Sequence, residues 1–362
     1  MKILLLSGAN SPHTLNWANS LTEAGHVVYV ASQHQAAKGY DARVNIIQLP
    51  DKGFLGLIKS VLKLKKIVNK IKPDIINAHR AIRYSLIARL VGHRPFIISV
   101  WGGDVYDFPY QSKIHHAFVK SNLIAADGVA STSHCMAEQT RLIAPKLDDV
   151  SITPFGVDMR SFVDARPPET NKDILVVGTV KTMASKYGID TLIEAFALLL
   201  TKLRDASPEL SEHIQLRLVG DGPKIADYKK LAIKLHVEDR VRFVGLVPHH
   251  EVPIELAKLD IYVALSRSES FGVAIIEAGA AYRPVVVSDA DGFLEVTLAG
   301  KTGLVVPREN PQAAADAIEK LILNPELRVQ MGERGRQHVT ENYTREICTQ
   351  KMIDCYRKVI TK

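Results

Sequence analysis

Apolar runs of strand length recur along the whole chain, and each is followed by a polar turn and a segment with helical spacing of apolar positions. Such runs occupy residues 3–6, 27–31, 73–79, 95–100, 127–133 and 150–158 in the first half, and 174–177, 215–219, 241–247, 260–265 and 284–287 in the second. They are continuously apolar rather than alternating, which predicts strands buried on both faces in parallel sheets covered by helices. Helices are predicted between them, over 14–24, 56–72 and 189–203 among others. The fold class is therefore α/β. With 362 residues the chain exceeds what one core usually supports, which makes two domains the natural expectation. The Pro-rich, polar stretch Arg166-Pro167-Pro168-Glu169-Thr170-Asn171 breaks the alternation and is the predicted linker between a first domain, 1–165, and a second, 172–343.

One predicted helix has an unusual charge pattern. Within 57–72, Leu57, Ile58, Val61, Leu62, Leu64, Ile67, Val68 and Ile71 supply apolar surface, while Lys59, Lys63, Lys65, Lys66, Lys70 and Lys72 add six cations with no acid among them. A basic amphipathic helix fits an anionic membrane surface; the plainer alternative is a packed helix with a solvated lysine face. Nucleic acid is disfavoured, because no aromatic residues interleave the lysines for base stacking. The charge balance points the same way. Up to residue 160 there are 19 Lys and Arg against 11 Asp and Glu, and beyond it 27 against 28, so the net charge of +7 belongs to the first half.

Three cysteines (Cys135, Cys348 and Cys355) lack metal-ligand spacing and read as reduced thiols, the pattern of a cytoplasmic protein. The apolar part of the N-terminus is too short for a signal peptide and reads as a first strand. No stretch has the length needed to cross a bilayer, so any membrane association is expected to be peripheral, on the inner face of the cell membrane.

The candidate chemistry lies in 260–278. A buried strand runs into Ser266-Arg267-Ser268-Glu269-Ser270, then Phe271-Gly272-Val273 and an Ala- and Ile-rich helix, with Glu277 about two turns into it. A strand–turn–helix unit of this kind places free backbone N–H groups at the carboxyl edge of a sheet, where phosphates bind. Two glutamates eight positions apart around Phe-Gly, ending in Glu-Ala, resemble the donor-site signature of the retaining family-4 glycosyltransferases. The resemblance covers almost the whole chain and is strongest over 174–310. It implies the GT-B fold: two Rossmann-like, doubly wound parallel-sheet domains facing across a cleft, with a last helix, 344–362, packing back on the first. It also implies that Glu269 lies near the donor sugar and that Glu277 bonds the ribose hydroxyls. Gly178, Gly220, Val247, Phe271, Gly272 and Val273 would line the rest of the donor site.

The match has gaps. Relatives carry Gly-Arg after the strand at 174–177 and Lys-Gly before the next helix, two cations that grip the donor diphosphate. Here Thr179 stands at the arginine, leaving Lys186 for that role and Lys181 as the substitute. In the first half, Trp101 stands where many relatives have a catalytic histidine. Asp104 is then either a ligand for a sugar hydroxyl or the cap of a turn, and His13 and His79 are candidate cleft residues or plain structural histidines. Asp289-Ala290-Asp291 stands where the family binds no metal, so no cofactor and no metal are expected. These residues together predict a hexosyl or N-acetylhexosaminyl transferase. It would use a nucleoside-diphosphate sugar, a UDP-sugar being the family's commonest, and a lipid-linked or polysaccharide acceptor in cell-surface glycan synthesis. The alternatives are a GT-B-like sugar-nucleotide epimerase, which needs no anionic surface, and an NAD-dependent oxidoreductase, against which stands the lack of Gly-x-Gly-x-x-Gly in either half. A non-catalytic binding protein would not need both Lys186 and the glutamate pair.

Overall fold

A computed structural model describes residues 1–50, 53–147, 149–170 and 172–361. The chain forms two compact units, Met1–Gly156 with Arg345–Lys362, and Val157–Thr344.

The first unit is built on seven parallel strands: β1 (Lys2–Leu6), β2 (Val27–Ser32), β3 (Asn45–Gln48), β4 (Ile75–His79), β5 (Phe96–Val100), β6 (Gly128–Ser131) and β7 (Val150–Ile152). Their order in the sheet is β3-β2-β1-β4-β5-β6-β7, a doubly wound arrangement with a reversal between β1 and β4. The central strands are buried on both faces, as their unbroken apolar runs require. Three polar side chains inside this layer bond in a chain: the Ser99 hydroxyl donates to Asn77 (3.0 Å), whose amide donates to the Tyr356 hydroxyl (2.8 Å). Tyr356 sits on the final helix, Arg345–Ile360, which buries Met352, Tyr356 and Val359 in this unit. The basic helix spans Phe54–Ile71 and buries Gly56, Ser60, Leu64 and Val68 along one line.

The second unit has six parallel strands: β8 (Leu175–Val180), β9 (Ile214–Val219), β10 (Val241–Gly245), β11 (Ile261–Ala264), β12 (Val285–Ser288) and β13 (Gly303–Val306). Their order is β10-β9-β8-β11-β12-β13, with the reversal between β8 and β11. β10 stops at Gly245, where its register against β9 shifts and the Gly245 carbonyl accepts from Gly220 N–H (2.8 Å). Val247 therefore lies beyond the strand predicted to carry it.

The Pro-rich stretch expected to divide the domains does not mark the division, which falls at Gly156/Val157. Three arginines explain why. Arg336 donates to the Phe162 carbonyl (3.2 Å), Arg283 to that of Arg166, and Arg328 to that of Glu169 (3.3 Å). Arg283 and Arg328 are buried, and their guanidiniums satisfy backbone acceptors that would otherwise lie orphaned. Lys172 and the β8 backbone close the seam on Asp260. Prolines and polar residues signal an irregular segment, and here that segment is stitched into the second unit. Asn171, the last residue of the predicted linker, lies outside the described residues.

Candidate active site

At the carboxyl edge of the second sheet, β11 gives way to the Ser266–Phe271 turn and the helix Val273–Ala280. The turn is held from outside by the helix Asp291–Val296: Gly292 N–H donates to the Glu269 carbonyl (3.0 Å) at a distance no side chain would permit. Phe271 is buried edge-on to Tyr343, with ring centroids 5.9 Å apart. Gly272 adopts a positive φ of 108° and starts the helix, so the first-turn N–H groups at Gly272 and Val273 have no intrahelical acceptor.

Opposite this turn stands Lys181. Its ammonium is 2.7 Å from Glu269 Oε2, and the two side chains are only 13% and 14% exposed. It also lies 4.8 Å from the Tyr187 ring centroid and 5.6 Å from that of Phe293. Burial works against this charge, but Glu269, aided by the Tyr262 and Tyr187 hydroxyl groups, outweighs it and holds the Lys181 pKa above the ordinary lysine value. Lys181 is thus a fixed cation. The loop carrying it closes on Gly220, whose positive φ and missing Cβ let it lie against the Lys181 carbonyl.

Lys186 occupies the short helical turn Ser185–Tyr187 and is exposed, with its ammonium 5.1 Å from the same Tyr187 ring. Arg267 pins this turn: its N–H donates to the Lys186 carbonyl (2.8 Å) and its guanidinium bridges the Ser185 carbonyl, Asp190 and Glu309. Those carboxylates hold the Arg267 pKa well above its usual value.

Glu277 projects from the second turn of its helix. It is 16% exposed and accepts no hydrogen bond on its carboxylate from the described residues; His249 Nε2 lies 3.9 Å from its Oε1. Burial raises its pKa, and the charges of His249 and Lys181 only partly oppose that. A nearly buried carboxylate without a donor lacks the hydrogen bonds such a group normally has.

The structure thus brings together Lys181, Lys186, Glu269, Phe271, Gly272, Val273 and Glu277. It leaves out Gly178, which lies within β8 against the Arg217 carbonyl. Thr179, at the missing arginine's place, is buried with its hydroxyl 3.5 Å from that of Tyr262, and so is turned into the core. Sequence reasoning missed Tyr187, Arg267, Phe293 and His249. The one available signal was Tyr187, which interrupts the Lys-Gly pair.

In the first unit, His13, His79 and Trp101 do gather, around Phe155. His13 stacks on Phe155 (centroids 4.1 Å, planes 17° apart), and Trp101 lies 4.3 Å from His79 and 5.6 Å from Phe155. His79 is 1% exposed with neither ring nitrogen hydrogen-bonded, and burial, with help from His13 and Arg80, pushes its pKa down to about 3. Asp104 proves to be a structural residue rather than a ligand for a sugar hydroxyl. It is buried, and its carboxylate accepts from Ala81 N–H (2.8 Å) and Trp101 N–H (3.1 Å), tying together the loops after β4 and β5.

Two family profiles match the chain: Glycosyl transferase 4-like over residues 2–133 and Glycosyl transferases group 1 over residues 161–338. The chain belongs to the family-4 glycosyltransferases of the GT-B fold, and it is a hexosyltransferase. Among characterised relatives it is 27% identical to N-acetyl-alpha-D-glucosaminyl L-malate synthase of Bacillus anthracis, over 78% of this chain and 74% of that one. It is 30% identical to the lipopolysaccharide core biosynthesis mannosyltransferase LpcC of Rhizobium leguminosarum bv. viciae, over 64% of each. Its fold matches that of sucrose-phosphate synthase from Thermosynechococcus elongatus (TM-score 0.82, 21% identity, 99% of both chains). It also matches Anabaena Alr3699/HepE, whose structure was determined in complex with UDP and glucose (TM-score 0.78, 18% identity, 98% of both chains). The oxidoreductase and epimerase readings fall away with the family assignment.

Proposed function

We propose that the protein is a retaining glycosyltransferase that moves a hexose or N-acetylhexosamine from a UDP-sugar to a lipid-linked or polysaccharide acceptor, without a metal ion. The observation that carries the donor reading is the unpartnered Glu277 carboxylate beside a turn lined with ammonium and N–H groups. A carboxylate that lacks donors suits a ribose diol, and the cations suit the diphosphate next to it. The uridine preference is supported by the complexes of Anabaena HepE with UDP-glucose and of S. aureus TarM with UDP. Guanosine is the rival, since another relative is a GDP-mannose-dependent mannosyltransferase.

In the proposed reaction the bond between the anomeric carbon and the diphosphate oxygen breaks as the acceptor hydroxyl attacks from the same face. The hydroxyl proton passes to the departing diphosphate, so no side chain is needed as a base. Lys181, Lys186 and the N–H groups of Gly272 and Val273 stabilise the charge that develops on the leaving group, which takes the place of a divalent cation. Glu269, held by Lys181, supports the electron-poor sugar. The acceptor is assigned to the basic first unit, with His13, Trp101 and Phe155 as its ring surface. The helix Phe54–Ile71 would hold the enzyme on an anionic membrane, since it leaves Phe54 and Leu55 exposed (76% and 70%) among its lysines.

The test is a thermal-shift panel of UDP, GDP, ADP, their sugars and NAD in EDTA. UDP and one UDP-sugar should raise the melting temperature, by the equivalent of about 2.7 kcal/mol at a hundredfold excess over Kd. Stabilisation by GDP alone overturns the uridine assignment, and a requirement for added Mg²⁺ overturns metal independence. An NMR assay of the product's anomeric configuration decides retention.

A further inference from the structure

The chain must grip a diphosphate without the arginine that its relatives use. An arginine presents its donors on a rigid planar fork, whereas a lysine is a point charge on a flexible stem. Replacing one by the other loses pre-organisation unless something else fixes the ammonium group. In this structure one ring stands next to both candidate cations: Lys181 Nζ is 4.8 Å and Lys186 Nζ 5.1 Å from the centroid of Tyr187. We propose that Tyr187 is a positioning residue that gathers Lys181 and Lys186 into a single two-ammonium diphosphate clamp, a proposal that rests on the reading of these lysines as the diphosphate ligands.

The ring itself is held firmly. It packs on the apolar core of the second unit, and Tyr187 N–H donates to the Ala184 carbonyl (3.0 Å). The next residue, Gly188, has a φ of +63° and lies against the Leu265 carbonyl in space that a Cβ would fill. On the other side Arg267 fastens the Lys186 carbonyl. A ring fixed in this way attracts each ammonium through its π face while leaving the N–H donors free to turn toward phosphate oxygens. Glu269 adds a second restraint on Lys181 but none on Lys186, so the ring is the element common to both.

The experiment compares Tyr187→Leu, Tyr187→Phe, Lys181→Met and Lys186→Met in the full chain. Calorimetry would use inorganic pyrophosphate, UDP and GDP as probes, and steady-state kinetics would use the preferred donor. Tyr187→Leu should weaken pyrophosphate and the preferred nucleoside diphosphate about tenfold each, with unit binding stoichiometry. It should lower kcat with the donor and leave the acceptor KM unchanged. Tyr187→Phe, which keeps the π face, should behave as wild type. If Tyr187→Phe loses as much as Tyr187→Leu, the hydroxyl is the working group and the clamp proposal is wrong. If both lysine variants lose affinity while Tyr187→Leu does not, the lysines bind the diphosphate but the ring does not organise them. If neither lysine variant loses affinity, the reading of the diphosphate site itself fails. Reduced stoichiometry with unchanged affinity in Tyr187→Leu would mark a folding role only and also overturn the proposal.

Discussion

Glu277 and the Lys181–Glu269 pair carry opposite costs, which can be measured separately. Glu277 is buried without a donor, so its folded pKa lies above the 4.5 of an ordinary glutamate. The native chain then binds more protons at this position than the unfolded one, and its contribution to stability falls as pH rises from about 4.5 through the raised value. Glu277→Gln should therefore melt at or above the wild-type temperature at pH 7.5 while losing donor-induced stabilisation, a contrast that a paired thermal-shift experiment reads directly. Lys181→Met should instead lower the melting temperature of the unliganded protein as well. It strands Glu269 in a largely buried position, costing on the order of 2–3 kcal/mol of stability, and removes a preorganised cation, costing about 10²–10³ in kcat. His79 sets a third test. With its pKa near 3 the buried ring stays neutral in the fold, so stability is intact above the unfolded value of 6.5 and declines as pH falls below it. Trp101 packs against the ring, and His13 and Arg80 are the groups whose charge acts on it. A denaturation series from pH 7.5 to 5 should show that decline, and His79→Phe should flatten it.

The residues of the donor site were legible to the extent that chemistry was written in adjacent positions. Glu269, Phe271, Gly272 and Glu277 sit in one turn and one helix, and the sequence places them without help. Tyr187 and Phe293 were not legible, because a ring meets an ammonium only after two distant turns have been brought to one sheet edge. Asp104 shows the opposite failure. An acid after a strand reads the same whether it faces a ligand or two backbone N–H groups, and only its burial tells them apart.

At the scale of an element, the helix Phe54–Ile71 is the clearest case of a pattern with two meanings. Its buried line of Gly56, Ser60, Leu64 and Val68 is what any sheet-covering helix needs, and the apolar periodicity announced that much. The structure adds that Phe54, Leu55, Ile58 and Leu62 remain outside that line and exposed, interleaved with Lys59, Lys63 and Lys66. The membrane role proposed above makes use of those four apolar side chains. The protein should therefore sediment with vesicles containing anionic lipid and not with purely zwitterionic ones. Replacing Lys59, Lys63 and Lys66 by glutamine should weaken that binding by roughly 1 kcal/mol each, steeply dependent on salt, without changing kcat on a water-soluble acceptor. Co-sedimentation without regard to lipid charge would leave the lysines with no membrane role. Boundaries at this scale were less legible than existence. β10 ends at Gly245 because its register slips there, a pairing fault that no composition reveals.

At the scale of the whole molecule, the strands of both sheets follow from unbroken apolar runs, β3 and β13 excepted, but their order and the point where one unit gives way to the next do not. Proline and polar residues locate an irregular segment, whereas the partition depends on which side satisfies its backbone. Residues 157–170 send their carbonyls to Arg283, Arg328 and Arg336, all from the second unit, and these arginines lie more than a hundred positions further along the chain. Burying a guanidinium is costly unless its donors are used, and burial lowers the pKa of all three. Arg328→Met removes the charge and most of the volume problem but leaves the carbonyls of Leu321, Ile322 and Glu169 without a donor. The expected loss is on the order of 2–4 kcal/mol in the second unit. It should also free the connector, so trypsin should cut after Arg160 or Lys172 in the variant well before it does so in the wild type under native conditions. Equal cleavage rates with an unchanged melting temperature would mean that the segment is a true linker after all, and that the arginines merely lie beside it.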